Sequence, residues 1–174
     1  ISFRMSGPSR LAVSGRNGSG KTTLLNLLTG FKTPEGRLSG TLKLGGVRPG
    51  FVDQRADLLE EERTVLENVR AGSRLSEADA RSLLAQFLFQ GDKAHRRAAT
   101  LSGGERLRAC LAKTLIADPA PQLLILDEPT NNLDMVNIKF LESALARFEG
   151  ALIVISHDRS FLEGVGVTVE LPLD

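Results

Sequence analysis

The 174-residue chain contains no tryptophan and no tyrosine, a single cysteine and two histidines. A lone thiol, Cys110, can close no internal disulfide and build no cysteine-based zinc site. His95 and His157 leave little for a histidine metal site. Charge of one sign is also lacking. Lys and Arg total 22 against 21 Asp and Glu, a formal net charge of +1, so no whole-chain field favours nucleic acid or an anionic membrane. Apolar runs such as Leu123–Leu126 and Ala151–Ile155 are too short to span a bilayer, and no signal peptide is visible. These absences point to the cytoplasm and away from direct membrane insertion. What is present is 41% hydrophobic and 25% charged residues, an ordinary globular composition that suits one domain with a real core. The chain opens at Ile1 rather than Met and is apolar almost at once. It reads as part of something longer, truncated at its N-terminus.

Apolar patterning divides the chain. Leu11–Val13 reads as a short buried strand running into a glycine-dense turn, with a helix expected over Lys21–Thr29. Thr41–Leu44 alternates and predicts a strand, Gly45-Gly46 a turn, and Gly50–Val52 a second short strand. The acidic stretch Glu60–Glu62 predicts a solvated loop. From about Thr64 to Ala117 the pattern is helical. Thr64 and Glu67, and again Ser102 and Glu105, have capping-box spacing, and Ser76 with Asp79 marks a similar start. Leu123–Leu126 and Ala151–Ile155 are continuously apolar, as expected of strands buried on both faces of a parallel sheet. Ile138, Leu141, Leu145 and Phe148 form a helical stripe, and Val165–Leu171 reads as a last, edge strand. The expectation is an α/β core over 1–56 and 118–174, with an inserted helical subdomain over about 57–117.

Four segments carry chemistry. Gly15-Arg16-Asn17-Gly18-Ser19-Gly20-Lys21-Thr22 matches G-x-x-x-x-G-K-[ST]. Its glycines let backbone N–H groups curl around phosphate oxygens, and the following helix N-terminus adds a positive end. Lys21 offers an ammonium to the outer phosphates, and the Thr22 hydroxyl can ligate Mg2+. Asp127-Glu128 ends the Leu123–Leu126 run, where an acid faces the ligand crevice of an open α/β sheet. There Asp127 could hold Mg2+ and Glu128 could orient or deprotonate water; an acid at a strand end is also commonly a helix cap. Leu101-Ser102-Gly103-Gly104-Glu105 is both a capping box and a bare, glycine-rich helix start that suits phosphate. His157 follows the Ala151–Ile155 strand, and a structural histidine and one contacting a γ-phosphate are both open on the residues alone. His95-Arg96-Arg97 reads as an ordinary solvated basic cluster.

In this order the segments resemble the ABC-type ATPase domain, across nearly the whole chain. Gly15, Asn17, Gly18, Ser19, Gly20, Lys21, Thr22 and Thr23 look like its Walker A and flanking nucleotide-binding residues, and Gln54 like the Q-loop glutamine. Leu101–Glu105 looks like the signature motif, Leu123–Asp127 like Walker B, Glu128 like the catalytic glutamate, Asp134 like the D-loop aspartate and His157 like the switch histidine. The resemblance implies a P-loop NTPase core with a parallel sheet, a small antiparallel β element and a helical subdomain carrying the signature. It implies ATP as substrate and Mg2+ as cofactor, held by Thr22, Gln54 and Asp127. It also implies a second ABC domain as partner, in a homodimer or as the other half of the same protein. Ser102, Gly103, Gly104 and Glu105 of one domain then meet the nucleotide of the other. Asn131 stands where transporter subunits commonly carry Ser, and Ser156–Leu162, through Arg159 and Phe161, is similar to the ABC-F subfamily of ribosome-acting ATPases. A transporter's ATP-binding subunit, partnered by a membrane subunit, is the alternative, and a nucleotide-gated binding module with little hydrolysis a second. An SMC-type protein would carry a long coiled coil between the Walker motifs, which is missing. Asn132 departs from the His frequent in ABC-F proteins.

The family stacks adenine on an aromatic residue well upstream of Walker A. Only 20 residues precede Lys21, none of them Tyr or Trp, and Phe3 reads as a strand residue. Phosphate contacts are common to all nucleotides, whereas stacking and base-edge contacts are not. Competition calorimetry on this chain should therefore give ATP and GTP affinities within about tenfold, about 1.4 kcal/mol; a hundredfold preference for ATP would mean that another residue reads the base.

Overall fold

A computed structural model of the chain describes residues 2–30, 39–53 and 58–173. Five strands, β1 (Arg10–Gly15), β2 (Pro49–Val52), β3 (Leu123–Asp127), β4 (Ala151–Ile155) and β5 (Val169–Leu173), form one sheet in the order β2-β3-β4-β1-β5. Every pairing is parallel. The register places Leu124 beside Leu152, and Leu152 beside Arg10, so β1, β3 and β4 end at one edge.

The sheet is buried on both faces, and the period of two in the strands sorts their side chains between two cores. Leu11, Val13, Leu123, Ile125, Ile153 and Ile155 pack on one face with Leu25 and Leu28 of helix α1 (Lys21–Thr29). Ala12, Leu124, Leu126, Leu152 and Val154 turn to the other face and join the larger core. That core is built with α2 (Val65–Arg70), α3 (Glu77–Gln86), α4 (Gly103–Ile116), α5 (Met135–Ala146) and α6 (Arg159–Gly164). The capping boxes form as their spacing predicts. Glu67 N–H donates to Thr64 Oγ1 at 3.2 Å and Thr64 N–H to Glu67 Oε2 at 2.8 Å. Ser102 and Glu105 make the same reciprocal pair at 2.9 and 3.3 Å, and Ser76 caps α3. Two short 3-10 turns, Gly91–His95 and Ala98–Thr100, lead into α4.

Some expectations are corrected. Thr41–Leu44 is not a strand, and the sheet contains no antiparallel pairing among the described residues; the only antiparallel contact there is an isolated Thr64–Arg97 bridge. Alternation produces a strand only where a neighbouring strand supplies hydrogen bonds, and Leu42 instead stays 52% exposed. Phe3, expected in a strand, lies in irregular chain and is 38% exposed. The edge strand begins at Val169 rather than Val165, because the turn that closes α6 takes up that stretch: the N–H groups of Val165, Gly166 and Val167 donate back to the carbonyls of Phe161, Glu163 and Leu162.

Candidate functional site

The loop between β1 and α1 turns sharply over the end of β5. An added Cβ on Gly15 would stand 2.2 Å from the Leu173 carbonyl oxygen and 2.6 Å from Ser19 Oγ, at a φ of +147°. Only glycine fits. Gly18 and Gly20 also have positive φ, and Gly20 begins α1 without a side-chain cap, leaving the first-turn N–H groups to an external acceptor. Lys21 is 9% exposed and folds back on its own loop, donating to the Gly15 carbonyl at 2.7 Å and the Arg16 carbonyl at 3.0 Å. Two of its three donors are thus used and the third is available. Ser19 Oγ is buried without a hydrogen-bond partner. Asn17, Gly18, Thr22 and Thr23 are exposed.

The ends of β3 and β4 bring the acids and the histidine to this loop. Thr22 Oγ1 lies 3.3 Å from Asp127 Oδ2. Burial pushes the Asp127 carboxyl above its ordinary pKa, the Thr22 hydrogen bond opposes that, and the nearby Glu128 and Asp53 charges add to it. Glu128 adopts a left-handed φ of +49°, rare for a non-glycine residue, and its N–H donates to the Ile155 carbonyl at 2.9 Å. Its Oε1 lies 3.2 Å from Nε2 of His157, which is exposed. Ser156 steadies the histidine loop: its Oγ accepts from the Asp158 N–H at 3.1 Å and lies 3.2 Å from Thr130 Oγ1. The residues expected around phosphate, metal and water therefore share one edge of the sheet. Gln54 lies outside the described residues.

The residues expected to form the signature stand elsewhere. Ser102 caps α4, Gly103 is exposed, and Gly104 is buried against Asn137. Burial pushes the Glu105 carboxyl up, but the Ser102 N–H and the Arg96 guanidinium, 2.6 Å away, outweigh it and hold the pKa below its usual value. No hydrogen bond among the described residues joins 102–105 to Lys21, Asp127, Glu128 or His157. Asp134 caps α5, accepting from the Asn137 N–H at 2.8 Å.

Sequence reasoning missed several participants. Asp53 Oδ1, at the end of β2, is buried without a partner, and only its position beside Gln54 hinted at it. Arg96, read as solvated, pairs with Glu105, whereas Arg97 stays exposed, 3.4 Å from the likewise exposed Glu62. Cys110 is buried, and burial pushes its thiol up to about 12, so it is inert. A cavity of about 1450 Å3, lined in part by Phe3, Leu24, Leu28, Phe87 and Phe148, meets the motif segments only at Leu123. It is apolar and lacks the convergent phosphate and acid groups, so the sheet edge is the better site. The donor set there fits the expected ligands. The oxygens of Thr22 and Asp127 suit a hard divalent cation, and the uncapped helix start with Lys21 suits phosphate. No described helix is long and apolar enough to cross a membrane.

Comparison with known proteins agrees. A family model described as ABC transporter matches residues 1–131. The Energy-dependent translational throttle protein EttA of Escherichia coli K12 is 38% identical over 175 residues, covering 97% of this chain and 31% of EttA. EttA of Mycobacterium tuberculosis H37Rv is 40% identical over 169 residues, covering 94% of this chain and 29% of that protein. The chain thus spans about a third of the length of these relatives. Among solved structures, an inward-facing transporter described as of metal-chelate type superposes with a TM-score of 0.78 at 26% identity, over 100% of this chain and 72% of that one.

Lys21 is the one compact cation that the loop encloses. In Lys21→Ala, Mg-ATP binding by calorimetry should largely disappear; unchanged affinity would remove the phosphate-loop reading.

Proposed function

Because the chain belongs to the ABC ATPase family and is similar to ABC-F members of it, we propose that it binds Mg-ATP and hydrolyses it between two ABC domains, as one half of a cytoplasmic protein that acts on the ribosome. The observation that carries the nucleotide chemistry is the convergence of three strand ends. Thr22 meets Asp127 at 3.3 Å and Glu128 meets His157 at 3.2 Å, beside an uncapped helix start and Lys21.

In this reading the N–H groups of 15–22 and the Lys21 ammonium bind the phosphates. Thr22 and Asp127, with Gln54, would hold Mg2+, which would supply positive charge to the phosphates. Glu128 orients water and accepts its proton, and its left-handed backbone, tied to the Ile155 carbonyl, fixes the carboxylate before any substrate arrives. His157 leaves Glu128 for the γ-phosphate. Ser102 and Gly104 complete the site of the partner domain, where other P-loop enzymes use an arginine finger. Their separation from Lys21 within the chain supports a trans arrangement.

The ribosome enters through the relatives, whose name assigns them to translation at 38 and 40% identity. The transporter alternative draws on the solved structure, at 26% identity. A module that binds without hydrolysing is disfavoured by the retained Glu128.

Glu128→Gln separates these readings. Glutamine keeps size and hydrogen bonding but accepts no proton, so turnover should fall by roughly a hundredfold or more while ATP binding persists. Light scattering should then show an ATP-bound pair of domains, and the same variant should co-sediment with ribosomes in ATP but not in ADP. Wild-type specific activity should rise with protein concentration where the second domain is a separate molecule. A variant as active as wild type would contradict the hydrolytic role, and failure to co-sediment would contradict the ribosomal one.

A further inference from the structure

Asn137, in the first turn of α5, is where three features of the fold meet. Its backbone N–H and its Nδ2 both donate to Asp134 Oδ1, each at 2.8 Å. Its Oδ1 accepts from Arg108 Nη1 of α4. Its side chain also fills the space beside Gly104, where an added Cβ would stand 2.4 Å from Nδ2 and 2.6 Å from Cγ. Asparagine suits this position because one short side chain carries both the donor and the acceptor.

Arg108 is committed to the same contact. Its guanidinium lies 5.8 Å from the ring centroids of both Phe89 and Phe140. Its Nε is buried without a partner, and Nη1 donates to Asn137, the acceptor among the described residues that holds the guanidinium. Two acids, Glu105 and Asp134, face it without forming an ion pair within the described residues. The sequence separates Arg108 and Asn137 by 29 positions, and neither belongs to a motif read above.

We propose that Arg108 and Asn137 are positioning residues that lock the Ser102–Gly104 segment to the Asp134 loop, so that both reach the partner domain's nucleotide as one rigid piece. The inference rests on the proposed trans site. Its physical basis is that transition-state contacts pay off only when their geometry is set beforehand. α4 and α5 start from different parts of the chain, and the Gly104–Asn137–Arg108 contact joins their N-termini directly. Gly104 carries no side chain because Asn137 occupies that space.

The test uses the full protein and three variants. Asn137 is half-buried, so Asn137→Ala should fold. Arg108→Met keeps the apolar stem between the two phenylalanines and removes the fork. Both should bind Mg-ATP as wild type does, because the phosphate loop is untouched, while kcat falls by roughly tenfold to a hundredfold. The double variant should be no slower than the slower single variant, since either change alone breaks the tie. Unchanged kcat in Asn137→Ala, losses that multiply in the double variant, or losses matched by weaker nucleotide binding would each overturn the proposal. A wild-type protein that binds but never hydrolyses ATP would overturn the reading of the site as well; normal wild-type turnover with an unaffected Asn137→Ala overturns the tie alone.

Discussion

A missing carbon atom at residue 15 governs the site. β1 can run to the edge of the sheet and turn over β5 only because nothing projects from Gly15 toward the Leu173 carbonyl, 2.2 Å from where a Cβ would lie. From that turn follow the positive φ values of Gly18 and Gly20, the uncapped start of α1 and the folding-back of Lys21 onto the Gly15 and Arg16 carbonyls. Thr22 then falls within 3.3 Å of Asp127. A bulkier residue at 15 would displace the loop, the helix start and the threonine together.

The parallel sheet makes this turn useful. β4 lies between β1 and β3, and the Ile155 carbonyl at its end accepts from the Glu128 N–H. The strand order itself thus holds an acid on one neighbour beside a phosphate loop on the other, while Ser156 and Asp158 fix the histidine at the tip of the strand between them. The helical block serves a different geometry. Its α4 start is capped, glycine-rich and tied to α5, and it makes no hydrogen bond to the sheet-edge residues among those described. In the proposed trans arrangement one chain presents two half-sites of different construction, one held through the sheet and one through the contact between α4 and α5.

Local signals were the legible ones. The bounds of α1, the starts of α2, α3 and α4, and the strands β3 and β4 could be read directly, since capping, apolar runs and glycine turns act within a few residues. The convergence of Lys21, Asp127, Glu128 and His157 was also legible, because each follows a buried strand and parallel strands end together. Partnership at a distance was not. Thr41–Leu44 has the alternation of a strand and finds no ladder among the described residues. Arg96 looked solvated until the fold brought Glu105 to it. Arg108 and Asn137 carried no local mark, since a bond across 29 positions depends on how two helices cross.

In the proposed mechanism the sheet edge of one domain and the α4 start of another enclose the same ATP. A crystal structure of the full protein carrying Glu128→Gln, grown with Mg2+ and ATP, tests this directly. It should show the phosphates within 15–22, Mg2+ between Thr22 and Asp127, and the signature Ser and Gly of the facing domain on the γ-phosphate. Nucleotide bound away from this loop, or in it with no second domain against the γ-phosphate, would contradict it.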